Sequence, residues 1–262
     1  METSKRLSPL LWGCGISVYA FLYIPLLIVV FFSFNDSKLN AQWVGFTLDW
    51  YRKLFGNTDM LVAARNSLII AFLSAAGATL LGTMSGLAIH RFKLKVLPVM
   101  VFTPVAMPEI LLGVSLLLFF IQFLHLTLGM TSIIIAHTTF CVGFVAIIVR
   151  ARLQGMDESI FEAARDLGAT PWETFKYVTL PLIRPAVIAG ALMSFTLSID
   201  DFVITFFMAG VGVSTLPLQI YSMIKVAVTP EVNAISTLLM MLTLSLMWIA
   251  SKVAPETLKG HA

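Results

Sequence analysis

The chain reads as long apolar runs separated by short polar ones. Between Leu7 and Asn35 there is no charged residue, and a second uncharged run spans Asn66 to His90. Each is long enough for a membrane-crossing helix of about 20 residues, with some tilt. A third run begins near Val96, is interrupted by Pro98, Pro104 and Pro108, and carries Glu109 after the last proline. A fourth follows a short turn at His125 to Met130 and is closed by Arg150 and Arg152. A fifth, from about Pro185 to Met208, holds Asp200 and Asp201, and a sixth runs from about Pro230 to Ser251. The pattern predicts an all-α membrane protein with six transmembrane helices in one domain, residues 1–262. The predicted spans are about 9–34, 62–90, 96–124, 130–150, 185–208 and 230–251. The mixed stretch from Asn35 to Met60 reads as an outside loop with a short surface helix. Ala209 to Thr229 reads as an outer segment rich in Gly, Ser and Pro.

Composition strengthens this picture. The chain is 58% hydrophobic and 12% charged, where soluble domains carry about 25% charged residues. A net charge of +3 without a basic run gives no footing for nucleic acid. Cys14 and Cys141 both lie within apolar runs and read as small packing residues, not as a disulfide or a metal site. The first apolar run is too long for a cleaved signal peptide and lacks a small-residue cleavage site, so it reads as a retained span. Gly77, Gly82 and Gly86, with Ser74, Ala78 and Ser85, predict a face on which two helices approach closely. Six spans put both ends on one side. Of the 17 Lys and Arg residues, only Lys38, Arg52, Lys53, Arg65 and Lys225 fall in the alternate, outer segments. The basic excess then places both termini in the cytoplasm.

The longest polar island of the second half runs from about residue 157 to 181. Ser159 stands three residues before Glu162, and Thr170 three before Glu173, both with capping-box spacing. Pro171 suits a first helical position, and Gly168 suits a left-handed helix end. The prediction is two short helices with a sharp bend, stopped near Pro181: a rigid knob fit for docking another protein.

Glu162-Ala163-Ala164, then Gly168, then Leu180-Pro181 resembles the EAA loop of ABC-importer permease subunits. The resemblance implies the type I ABC importer permease fold. It also implies that Glu162, Ala163, Ala164, Asp166 and Gly168 belong to a coupling helix seated in a cleft of a cytoplasmic ATPase. Further segments are similar to the PotC-type permeases of spermidine/putrescine importers. They are Phe195 to Asp201, Leu216 to Val226, Thr229 to Ala234, Ser33 to Ser37 and Trp50-Tyr51. That branch implies a bacterial inner-membrane heterodimer with a PotB-like permease. Two copies of a PotA-like ATPase and a PotD-like periplasmic polyamine-binding protein complete the implied assembly. The chain has no P-loop, no H-E-x-x-H and no nucleotide-binding glycine fingerprint. It is therefore expected to be no enzyme and to hold no cofactor, with ATP and Mg on the partner ATPase.

Acids inside a span are expensive and mark a path or a bundle interior. On a helix Ser194, Ser198, Asp201 and Thr205 fall on one continuous polar face, while Asp200 points about 100° away. Asp201 is thus the favoured path-lining acid, with Asp200, Glu109, Ser198, Phe202 and Phe206 as further candidates. Ring faces there suit a cationic substrate. The alternative is that the acids accept hydrogen bonds from neighbouring helices or pair with a partner subunit. Glu231 reads as a first-turn acid, and His137 as a hydrogen-bonded packing residue. Permeation of another small solute, such as an opine or a phosphonate, is the alternative function. An ATP-independent cation channel explains the acids but not the loop. An intramembrane aspartyl protease needs two aspartates from different helices, which an adjacent pair does not provide.

Overall fold

The computed structural model describes residues 9–37, 42–92, 95–226 and 229–253. Among them it is helical almost throughout, with no strand and one isolated bridge, Asn35 to Phe46. The long helices stand on the apolar runs: α1 Pro9–Phe32, α3 Thr58–Phe92, α6 Met130–Gln154, α9 Leu180–Asp200 and α12 Pro230–Val253. Shorter ones join them: α2 Asp49–Gly56, α4 Val96–Ala106, α5 Glu109–Gln122, α7 Ser159–Asp166, α8 Pro171–Thr174, α10 Val203–Met208 and α11 Leu216–Val226. Five helical stretches are long and apolar enough to cross a membrane, and six if α4 and α5 count as one bent span. None of the apolar window of α1 is buried, as suits a helix that meets lipid or another subunit.

The chain divides into two units, residues 1–61 with 220–241, and residues 62–219 with 242–262. The larger unit is built around α6. Ile133, Ala136, Cys141, Val145, Ala146 and Val149 of this helix are fully buried. The predicted small-residue face of α3 packs here. A Cβ on Gly82 would stand 2.6 Å from the Val145 Cβ and 2.8 Å from the Val142 carbonyl oxygen. In lipid there is no hydrophobic drive between helices, so such close van der Waals contact is what holds them together. The opposite flank of α6 uses the same device. At Gly143 an added Cβ would strike Val105 and the backbone of Val101 on α4. Gly190 of α9 lies against Val145, and the Cys141 thiol donates to the Ser194 carbonyl at 3.7 Å. Arg152 Nε donates to the Leu182 carbonyl, tying the end of α6 to the start of α9.

The smaller unit is organised by Asn35. Its amide donates to the Gln42 carbonyl at 2.8 Å and accepts from the Val44 N–H at 2.9 Å. Its own carbonyl takes the Trp50 indole N–H at 2.8 Å, which anchors α2. Ser33 and Tyr51 share a hydrogen bond of 2.7 Å beside it. The expected short surface helix of this loop is α2.

The element boundaries follow the expectations only in part. The third run is interrupted, as its prolines imply: α4 and α5 meet at 114°. Pro108 excludes the helical region for the residue before it, and Met107 is accordingly extended (φ −81°, ψ 142°). The fifth run breaks at Asp201. The segment after it holds α11. Finally, Pro181 does not stop the helix. The chain continues through a π-helical turn, Phe175–Thr179, into α9. The wider turn makes room for the ring of Pro181 and relaxes the ladder where proline supplies no N–H.

Candidate functional site

The polar island forms two helices and a bend, held by local contacts. After α7 the Gly168 N–H donates to the Arg165 carbonyl at 2.8 Å and the Ala169 N–H to the Ala164 carbonyl at 3.1 Å. This double closure is the Schellman motif, and it requires the left-handed conformation that Gly168 adopts, φ +82°. At α8 Thr170 Oγ1 accepts the Glu173 N–H at 3.3 Å. Glu173 Oε2 takes the Thr170 N–H and hydroxyl at 2.8 and 2.7 Å. These hydrogen bonds from Thr170 hold the Glu173 carboxyl below its ordinary value. The first predicted cap is different. Ser159 lies inside the helix, and the carboxylate of Asp157 receives the Ser159 N–H at 3.0 Å. That bond, with one from the Ser159 side chain, lowers the Asp157 carboxyl. Asp157 fits the cap because its carboxylate also meets the positive helix end.

No residue of α7 is buried. Glu162, Ala163 and Asp166 are exposed and Ala164 is half-buried. Leu167 is 89% exposed and Trp172 68% exposed. Two large apolar side chains on a rigid polar bend form a surface suited to contact with another protein. The base of this knob is fixed, because Thr174 and Thr179 are buried.

The fifth span ends its first part differently. Asp201 is extended (φ −67°, ψ 126°), so α9 stops at Asp200. Its carboxylate caps α10: Oδ2 accepts from the Thr205 N–H and hydroxyl, each at 2.8 Å, and Oδ1 from the Ile204 N–H at 3.4 Å. An aspartate that offers its side chain to the backbone competes with helix propagation, which explains the break. His137 of α6 reaches both sides of it. Nε2 lies 3.1 Å from Asp201 Oδ2 and 3.0 Å from Thr205 Oγ1, and Nδ1 lies 2.7 Å from Ser198 Oγ. The Thr205 hydroxyl proton already serves Asp201. The remaining acceptor capacity of the carboxylate therefore calls for a proton on Nε2, and Nδ1 then accepts from Ser198. The side chains of His137 and Asp201 are 2% and 6% exposed.

The expected continuous face thus does not exist as a helix face. Ser194, Ser198 and Thr205 are buried, on two separate helices. Asp200 is the exposed acid of the pair, and both its oxygens accept from the Thr243 hydroxyl, at 3.2 and 3.1 Å. Phe202 is half-buried and Phe206 exposed, with ring centroids 5.7 Å apart. Phe207 turns inward, against Gly113. Glu109 is exposed and opens α5 just after the break at Pro108, where a first-turn acid meets free N–H groups. His137 was expected to be a bonded packing residue, and it is bonded. Its partners lie 61 to 68 residues away, so no local pattern announces them. The one available sequence signal was Asp201 itself, a preferred N-cap residue before Ile204 and Thr205. No group of three metal-ligating side chains occurs among the described residues.

A family model described as "Binding-protein-dependent transport system inner membrane component" matches residues 78–258. The spermidine/putrescine transport system permease protein PotC of Escherichia coli K12 is 42% identical over 252 residues, covering 95% of each chain. The putrescine transport system permease protein PotI of the same strain is 42% identical over 231 residues, 85% of this chain and 82% of its own. A chain of a bacterial alginate ABC transporter, solved with an alginate-bound periplasmic protein, superimposes with a TM-score of 0.72 at 18% identity. The superposition covers 97% of this chain and 95% of that one. That last likeness carries the fold and nothing more.

Proposed function

We propose that this chain, which belongs to the family of binding-protein-dependent transport system inner membrane components, passes polyamines across the inner membrane. It is a permease subunit of an ABC importer, without an ATPase site of its own, and its partners are those of such an importer. The observation that carries the polyamine reading is the full-length likeness to permeases named for spermidine and putrescine.

The charges agree in sign. A polyamine is a flexible chain of ammonium groups, and its path needs acids and ring faces. Asp200, exposed beside Thr243, is the acid best placed for this, with the Phe202 ring two residues on and paired with that of Phe206. Their hold has to be moderate, because tight binding would oppose release. Asp201 and Ser198 serve from behind, in the bonded cluster around His137. Glu109 opens α5 and is a lesser candidate for the path.

In the assembly a PotB-like permease completes the pathway. Two PotA-like ATPases hold ATP and Mg and receive the knob formed by Glu162, Ala163, Ala164, Asp166 and Gly168. A PotD-like periplasmic protein delivers the substrate. Both termini and the knob lie in the cytoplasm in this reading, which the lysine and arginine distribution supports. A reporter fused at Ala169 that reads outside would refute this orientation.

The test is uptake of labelled spermidine by the complex reconstituted in vesicles, with competition by unlabelled putrescine and by a neutral small solute. Uptake is expected only with ATP inside, at the ATPase, and only the polyamines should compete. Uptake without ATP would favour a channel. Competition by an unrelated solute, with none by polyamines, would overturn the substrate.

A further inference from the structure

The His137 cluster is buried, and the reading above gives its imidazole no direct task in docking or in meeting the substrate. One imidazole joins three residues on two helices: Ser198 in the last turn of α9, and Asp201 and Thr205 at and after the break. Between Ser198 and Asp201 on the chain stands Asp200. Its backbone is thus held on both sides, while its own carboxylate is exposed and directed to Thr243.

We propose that His137 is a positioning residue for transport: by clasping both sides of the break it fixes Asp200 as the acid presented to the substrate. This rests on the polyamine reading of Asp200 given above. The physical reason is competition between two local structures. Without the clasp the chain at residues 200–202 can continue α9, since nothing there forbids a helix except the capping role of Asp201. Continuation would release the Asp201 carboxylate from α10 and rotate it about 100° from Asp200, so that the two acids would share the exposed side in changing proportion. The clasp removes that choice. Three donors to Asp201 remain when the imidazole is lost, from Ile204 and Thr205. The carboxylate is then still bonded, and the chain has no cause to unfold.

The test uses the whole complex in vesicles, with Cys14→Ser and Cys141→Ser in this chain and a single Asp200→Cys as a reporter. A positively charged methanethiosulfonate reagent labels position 200, and the rate is read by mass on this chain. Removing the clasp with His137→Leu should slow labelling at least about fivefold. In the chain that keeps Asp200, His137→Leu should lower spermidine uptake per assembled complex about tenfold. His137→Gln, whose amide can donate to Asp201, should restore both to within about threefold of the parent. A merely structural role would lower the amount of complex and leave the labelling rate of what remains untouched. Equal labelling rates with and without His137, or equal uptake per complex, overturns the proposal. If His137→Leu does not accumulate, Ser198→Ala removes a single bond of the clasp, and an unchanged labelling rate there overturns it equally. The two readings separate cleanly. If Asp200→Asn transports like the parent, Asp200 leaves the path, while the labelling rates still decide whether His137 sets its position.

Discussion

The knob at residues 159–179 and the break at residues 198–205 are both bends between helices stabilised by a carboxylate cap, yet they are built in opposite ways. At the knob every bond is local: Glu173 caps through Thr170, and Gly168 closes α7 through Arg165. Leu167 and Trp172 face outward. At the break the cap is buried and shared with His137, more than 60 residues away. A local, exposed bend keeps its shape whatever it touches, which suits a surface that must meet another protein repeatedly. A buried bend is a joint property of several helices, so damage to it spreads to the fold. The difference has a measurable form. Changes in the knob should alter transport per complex, and changes that crowd the packing of α6 or leave the buried donors to Asp201 unpaired should alter the amount of complex.

The largest expected effect lies on the buried side. Gly82→Val would press a branched side chain against Val145 and the Val142 carbonyl, and backbone cannot yield as a side chain can. Overpacking costs about 1–3 kcal/mol, and a clash with backbone belongs at the upper end. The amount of chain in the membrane should fall at least about tenfold, since every 1.4 kcal/mol is a factor of ten in an equilibrium. Quantitative blotting of membranes checks this, and a parental level would show that α3 and α6 have slack between them.

Next comes the knob. Gly168→Val puts a β-branched residue at φ +82°, where nothing crowds a Cβ but the backbone conformation itself is disfavoured by about 1–2 kcal/mol. The amount of complex should stay within about twofold, because α7 buries nothing. Uptake per complex should fall about tenfold or more, and Gly168→Asn should recover most of it, since asparagine tolerates the left-handed region. Loss of the complex itself, with normal uptake by the remainder, would erase the contrast between the two bends.

These regions were unequally legible in the sequence, for the same reason that they differ in construction. Thr170, Glu173 and Gly168 speak through spacings of three residues or fewer, and the structure uses them as the spacing implies. The small-residue face of α3 was legible because helical periodicity fixes it. Pro181 misled: read as a stop, it stands in the first turn of α9, which the chain enters through a π turn. Ser159 misled because Asp157, two residues earlier, is the stronger partner for the helix end. The break at Asp201 was hidden by an assumption of continuity, and its stabilising imidazole comes from another span. A pattern that repeats every 3.6 residues cannot report a bond formed across 60.

Moderate effects should separate the two adjacent aspartates. Asp201→Asn replaces an acceptor of four hydrogen bonds with a group whose amide must face some of those donors. Leaving buried donors unpaired costs roughly 1–3 kcal/mol. The amount of complex should drop about threefold to tenfold, with smaller change in uptake per complex. Asp200→Asn should do the reverse: normal amount, reduced uptake. Measuring both quantities for both variants sharpens the comparison within two neighbouring residues, and identical profiles would show that burial is not what divides their roles.

The smallest effect concerns acid at the knob. Hydrogen bonds from Thr170 lower the Glu173 carboxyl from its ordinary 4.5, and those of Ser159 lower Asp157 from 3.8. A carboxyl lowered in the folded state stabilises it fully above the ordinary value, and the stabilisation is lost as pH falls through the lowered one. Both windows lie well below neutrality, so neither cap should change its charge between about pH 6 and pH 8. Glu173→Gln keeps an oxygen that can accept the Thr170 N–H and removes only the charge, in a place open to water and salt. Uptake per complex should then differ from the parent by less than about twofold, by the same factor across that range. Hydrogen exchange at the Thr170 and Glu173 amides should quicken slightly, as expected for a cap that is weaker but still made. The opposite result is specific. If the parent's uptake falls on going from pH 8 to pH 6 and Glu173→Gln abolishes that slope, Glu173 gains its proton near neutrality. The knob would then be a pH-sensitive element after all, more like the buried bend in its dependence on surroundings than the local geometry implies.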